Sequence, residues 1–226
     1  MMLAILLYRL IWVALWVLRH SWWKWTVSGH ANLLPRGQPM VLAVNHLHWT
    51  DTFALGASLP LRLQPTWLAK AELFTHPLIA WWLRAIQVIP VVRGRQGLSA
   101  LVAAEEALKG GAALIIFVEG HRSPTGGLQE GQGGAVRLAA RNGYPIVPIA
   151  LWGTEVGLRG ICLRKPIHIR IGEPYTVPIE SSKIPQQRMT ELTDELMLRL
   201  AALLPERYRG VYRERIQGSD DKEIRR

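Results

Sequence analysis

No acidic residue precedes Asp51, although Arg9, Arg19, Lys24 and Arg36 all do. An opening without acids suits the negatively charged face of a bilayer. Cysteine is almost missing too. Cys162 stands alone, which excludes an intrachain disulfide and a cysteine metal cluster, and fits a reducing compartment. Charged residues make up 19% of the chain against 49% hydrophobic, too few charges and too much apolar content for a disordered protein or a coiled coil. Repeats and long low-complexity stretches are also lacking, so the 226 residues read as one folded domain with a short N-terminal appendage.

What charge there is leans strongly one way. A formal net charge of +10 calls for an anionic partner: nucleic acid, anionic lipid or a phosphorylated substrate. The N terminus bears on that choice. Met1 to Leu18 is almost wholly apolar apart from Arg9, and Trp22, Trp23 and Trp25 follow. Arg9 inside the apolar stretch, and tryptophans in place of small residues after it, argue against a cleaved secretory signal. Spanning needs about 20 apolar residues, so the stretch is marginal as a transmembrane helix. On a helix, Arg9, Trp12, Trp16 and Arg19 form one lengthwise stripe of interface-loving side chains, a pattern for lying in a membrane surface. Both modes stay open, spanning or re-entrant and surface-lying, and an ordinary buried helix is the bland alternative. A basic nucleic-acid module would leave this apolar, tryptophan-dense segment without a purpose.

After the Pro35-Arg36-Gly37 turn, Met40 to Val44 is a short continuous apolar run, the mark of a strand covered on both faces. Asn45 ends it and is placed to cap a helix that includes Thr52 to Ala57. Further strands are expected at Thr66 to Ala69, Val88 to Val92, Ala113 to Val118, Ile146 to Leu151 and Ile167 to Ile171. Helices are expected around Pro77 to Ala85, Leu98 to Leu108 and Ala135 to Arg141. Met189, Leu192, Leu196, Leu200 and Leu203 predict a closing amphipathic helix. Alternating strands and helices make this an α/β protein: a mostly parallel mixed sheet flanked by helices, with an N-terminal membrane-associating helix or helical hairpin. The expected divisions are 1–30 for that segment, 31–205 for the α/β domain and 206–226 for a mixed-charge tail, frayed from Tyr208 onward.

Chemistry concentrates in Asn45-His46-Leu47-His48-Trp49-Thr50-Asp51, which follows a strand end, where α/β sheets put their ligand sites. A strand-to-helix turn between His46 and Asp51 brings the carboxylate to one imidazole nitrogen and leaves the other to take a proton from a hydroxyl. The competing readings are a surface ion pair worth about 0–1 kcal/mol, and a metal-dependent hydrolase built on His46, His48 and Asp51.

Asn45-His46 with Asp51 resembles the first signature of the glycerolipid acyltransferase family, the 1-acylglycerol-3-phosphate (lysophosphatidic acid) acyltransferase type. Three more blocks follow in the family's order. Ile89-Pro90-Val91-Val92-Arg93 resembles the second, Phe117-Val118-Glu119-Gly120-His121-Arg122-Ser123 the third, and Tyr144-Pro145-Ile146-Val147-Pro148-Ile149 the fourth. Gly133 to Ala139 looks like the helix the family places between the last two. Departures are Val118 for the usual Pro, His121 for Thr, Gln87 for Gly, and Gln132-Gly133 where relatives often carry lysine. They touch acceptor identity and leave the His46–Asp51 pair intact.

The resemblance implies an acyltransferase with His46 as general base and Asp51 as its orienting carboxylate. Arg93, Glu119, Gly120 and Arg122 would bind the acceptor phosphate, Val147 and Pro148 would shape the acyl pocket, and Lys70 would add charge. It implies acyl-CoA or acyl carrier protein as donor, a lysophospholipid as acceptor and no metal or tightly bound cofactor. The expected partners are anionic membrane lipid and these substrates, with no nucleic acid. The expected location is the cell membrane, with the catalytic domain on the cytoplasmic side.

Overall fold

The computed structural model describes residues 2–91, 97–179 and 184–216. In chain order the helices and strands are α1 (Met2–Ser21), β1 (Trp25–Ser28), β2 (Met40–Val44), α2 (Asp51–Ser58), β3 (Thr66–Lys70), α3 (Pro77–Ala85), β4 (Val88–Val91), α4 (Gly97–Lys109), β5 (Ala113–Phe117), α5 (Gly134–Asn142), β6 (Ile146–Trp152), α6 (Gly157–Cys162), β7 (Ile167–Ile171) and α7 (Gln186–Leu203). The seven strands form one sheet in the order β1-β7-β6-β2-β5-β3-β4. All neighbours run parallel except β6 and β7, which makes the sheet mixed.

The run from Met40 to Val44 becomes the central strand because its side chains have cover on both sides. Val41 and Ala43 join a core with residues of α4, α5 and α7, while Met40, Leu42 and Val44 join a second with Ala54 and Leu55 of α2. A strand buried on both faces has no polar side to show, hence the unbroken apolar run. Parallel pairing then carries the C-terminal ends of β2, β5 and β6 to one rim.

Four expectations need correcting. The N-terminal segment contributes a strand: Trp25 to Ser28 pairs with β7, so the sheet begins before residue 30. Four residues alternating between half-buried and exposed at a sheet edge carry too little pattern to be told from the tryptophan stretch before them. Asn45 is no helix cap; its amide bonds both ways with Leu151, Nδ2 to O and Oδ1 from N, each at 2.8 Å, and clasps β2 to β6. The chain does not fray at Tyr208: Tyr208, Tyr212 and Ile216 are buried in the core, and Leu128 N donates to Tyr208 O at 2.9 Å. Residues 217–226 lie outside the described residues.

The fourth correction concerns α1. Trp12 and Arg19 of the expected stripe are half-buried, and Arg19 Nη1 donates to Ala57 O at 3.3 Å, while Arg9 and Trp16 are exposed. The helix packs on α2 and α3 and leaves Leu3, Leu6, Leu10, Val13 and Val17 exposed. Among the described residues, no helix is long and apolar enough to cross a membrane.

Candidate active site

The rim at the end of β2 holds the His46–Asp51 pair. His46 Nδ1 lies 2.7 Å from Asp51 Oδ2, and the same oxygen accepts the backbone N–H groups of Leu47 at 2.7 Å and His48 at 2.9 Å. Asp51 is the first residue of α2, where the helix dipole favours a negative charge. Its side chain is fully buried, whereas 18% of the His46 side chain is exposed. A carboxylate accepts, so Nδ1 carries the proton and Nε2 is left with its lone pair. The surface-pair reading fails here, because exposed pairs are weak by virtue of solvation and this carboxylate has none.

His46 is fixed on every side but that one. Its ring stacks on Phe117 with centroids 4.0 Å apart, its N–H donates to Glu119 Oε1 at 2.7 Å, and its carbonyl accepts from Ser123 N at 2.7 Å. The loop after β5 therefore grips the histidine from the neighbouring strand. Glu119 is fully buried, and its other oxygen accepts from Gln129 N at 2.8 Å. Burial pushes the Glu119 carboxyl above the ordinary carboxylate range, and the two amide donors partly offset this.

The remaining residues of the expected acceptor site divide. Gly120 (φ 72°) and Arg122 are exposed on the same loop, with Arg122 next to the Ser123 that holds His46. Glu119 faces inward and holds backbone, not Arg122. Arg93 lies outside the described residues. Lys70 is exposed at the end of β3.

Val147 and Pro148 are the residues expected to shape the acyl pocket. Both are wholly buried within β6, opposite Leu42 and Ala43 of β2. A cavity of about 300 Å3 lies instead between α1, α2, α3 and β3, walled mainly by apolar side chains including Tyr8, Trp12, Leu15, Phe53, Trp67 and Leu83. Thr52, Phe53 and Gly56 also line it, so it starts one residue from Asp51 along α2. Sequence reasoning missed it because its walls come from elements scattered between Tyr8 and Val88. It also missed Phe117 as the histidine's stacking partner, although that residue opens the third block.

The metal reading required His46, His48 and Asp51 around one ion. His48 Nδ1 instead sits 3.0 Å from Thr50 Oγ1, whose hydroxyl also reaches Thr154 O at 3.1 Å. Among the described residues, no group of three or more His, Cys, Asp or Glu side chains is arranged to hold a metal ion.

Comparison with known proteins adds an independent line. The sequence pattern of a family described as "Acyltransferase" matches residues 24–152, more than half of the chain. A chloroplastic 1-acyl-sn-glycerol-3-phosphate acyltransferase of Brassica napus is 31% identical over 161 residues, covering 69% of this chain and 46% of the relative. A lyso-ornithine lipid O-acyltransferase of Pseudomonas aeruginosa is 36% identical over 127 residues, covering 55% of this chain and 46% of the relative. The chain thus spans about half the length of these curated relatives. The crystal structure of a 1-acyl-sn-glycerophosphate acyltransferase from Thermotoga maritima superposes with a TM-score of 0.62 at 23% identity, covering 84% of this chain and 76% of that one, a likeness of fold.

Proposed function

The chain belongs to the acyltransferase family, and from that premise we propose that it moves a fatty acyl group from an acyl thioester to the free hydroxyl of a lysophospholipid. The acceptor we favour is 1-acylglycerol 3-phosphate, giving phosphatidic acid. The observation that carries this is the 2.7 Å bond from His46 Nδ1 to buried Asp51, which leaves Nε2 as the basic nitrogen on the partly exposed side chain. His46 Nε2 takes the acceptor's hydroxyl proton as the oxygen attacks the thioester carbonyl. The tetrahedral oxyanion collapses, the carbon–sulfur bond breaks, and the imidazolium returns its proton to the leaving thiolate. Asp51 holds the tautomer and stabilises the imidazolium.

Arg122, with Arg93 and the Gly120 turn, offers the donors that a phosphate needs, and a guanidinium does so with a two-pronged fork. Glu119 serves by holding His46 and the loop in place. The acyl chain enters the apolar cavity between α1, α2, α3 and β3, a role we transfer from Val147 and Pro148 to Phe53, Trp67 and their neighbours. The exposed apolar side of α1 rests in the surface of an anionic membrane on the cytoplasmic side. Donors are acyl-CoA or acyl carrier protein. A second acceptor class, glycerol 3-phosphate, another lysophospholipid or a lyso-aminolipid, is favoured by the 36% identity to the lyso-ornithine enzyme and by His121 standing where the family usually has Thr.

The test is purified protein given labelled acyl-CoA and acyl carrier protein with this panel of acceptors, beside His46→Ala. Transfer is expected to a phosphate-bearing acceptor and to vanish in the variant. Wild-type turnover by His46→Ala would refute the mechanism.

A further inference from the structure

The segment that follows β6 plays no part in the chemistry described, yet it sits on the same rim. Gly157, which opens α6, lies against His48: a Cβ built on it would be 3.4 Å from His48 Cε1. From Val156 to Lys165 the sequence is Val-Gly-Leu-Arg-Gly-Ile-Cys-Leu-Arg-Lys, with three cations and no acid. Ile161 is buried and pins the helix, while Leu158 is 52% and Leu163 63% exposed, with Val156 exposed beside them. Arg159, Arg164 and Lys165 are exposed among these apolar side chains.

Isolated exposed apolar residues are ordinary and need no explanation. These are joined to a further one. Trp22, just past the end of α1 and 51% exposed, donates its indole N–H to Cys162 O at 3.4 Å, and the Arg164 guanidinium lies 4.9 Å from the centre of its ring. Trp22 thus joins the end of α1 to the 156–165 segment, whose Gly157 lies against His48.

We propose that the 156–165 segment is a second membrane-contacting surface, which with Trp22 rests on an anionic bilayer and sets the catalytic mouth against it. The proposal rests on the membrane reading of α1 given above and adds a contact that α1 does not supply. Tryptophan with arginine and lysine around exposed leucines is the composition that suits the headgroup boundary, where apolar side chains dip in and cations meet lipid phosphate. A protein partner with an acidic surface would satisfy the cations but has no need of a site next to His48. A lipid-facing enzyme has that need, because its acceptor stays in the bilayer.

Cys162 is the sole cysteine and is exposed, so an environment-sensitive thiol dye placed there in the full chain reports on this surface alone. The dye is expected to shift to the blue on vesicles containing phosphatidylglycerol, to shift less on phosphatidylcholine alone, and to be quenched by brominated lipid. Arg159→Gln with Lys165→Gln is expected to weaken vesicle binding by about fivefold per cation. It should leave turnover on a monomeric short-chain acceptor unchanged, with the fold checked by thermal unfolding. Vesicle binding without a dye shift overturns the proposal while leaving α1 as the membrane contact. A dye shift that grows with protein concentration in the absence of lipid overturns it in favour of a second copy of the chain. Turnover on the short-chain acceptor reports separately on the acyltransferase reading.

Discussion

Glu119 accepts the backbone N–H of His46 at 2.7 Å, so the carboxylate of the third sequence block grips the histidine of the first by its main chain. The two blocks lie 73 residues apart and meet because β2 and β5 are parallel neighbours. Glutamine at this position can accept through one oxygen only, which strands either His46 N–H or Gln129 N–H. A buried donor without a partner costs about 1–3 kcal/mol. Glu119→Gln is therefore expected to lower kcat by about tenfold to a hundredfold with a smaller change in KM, read by steady-state kinetics.

Stability should report on the same carboxyl with the opposite sign. Its folded pKa is raised, so the native state holds the proton more tightly than the unfolded chain does. This contribution is complete below the unfolded pKa and is lost as pH rises through the folded one. Urea titrations across that window are expected to show the advantage of wild type over Glu119→Gln shrinking as pH increases. An advantage that grows with pH would contradict the burial argument.

Asp51→Asn keeps the shape and removes the charge. With its oxygen where Oδ2 stands the amide still accepts from Leu47, His48 and His46, so what is lost is the negative charge that stabilises the imidazolium and favours the Nδ1–H tautomer. A kcat reduction of about 10⁴, with the fold retained by circular dichroism, is the scale known for this change beside a catalytic imidazole.

Gly56 lines the apolar cavity, and a Cβ built on it meets no atom within 4 Å. Gly56→Leu fills part of the cavity and improves helix propensity by about 1 kcal/mol. The variant is expected to fold at least as well as the parent and to shift its donor preference to shorter acyl chains, measured with an acyl-CoA length series. An unchanged length profile would separate the acyl chain from this cavity.

Residues 206–216 carry three side chains of the core. Ending the chain at Pro205 removes Tyr208, Tyr212 and Ile216 and frees the backbone of Leu128 in the loop that carries Glu119. Burial of three such side chains contributes about 1.5–3 kcal/mol each, comparable to the whole stability of a domain. The truncated protein is expected to unfold at a much lower temperature and to lose activity with it. Ile216→Ala, at about 2–5 kcal/mol, is the graded version.

How much was legible in the chain differs from element to element. The Met40 to Val44 strand, the closing helix and the alternation of the two element types were readable because apolar periodicity is local, and it marks which faces will be covered. The His46–Asp51 pair was equally readable, since five residues across one strand-to-helix turn leave little freedom in where the two side chains meet. The four-residue edge strand Trp25 to Ser28, the Asn45 clasp on Leu151 and the burial of Tyr208 were not, because each depends on partners more than 70 residues away. The apolar cavity is of the same kind, with walls from elements scattered between Tyr8 and Val88. The local order of apolar, polar and turn residues determined which segments became strands and helices and where the His46–Asp51 turn sits. Which side chains turn inward to hold that turn, and which line the apolar cavity, were decided only by tertiary packing, because long-range contacts follow from the parallel order of the sheet and leave no periodic trace along the chain.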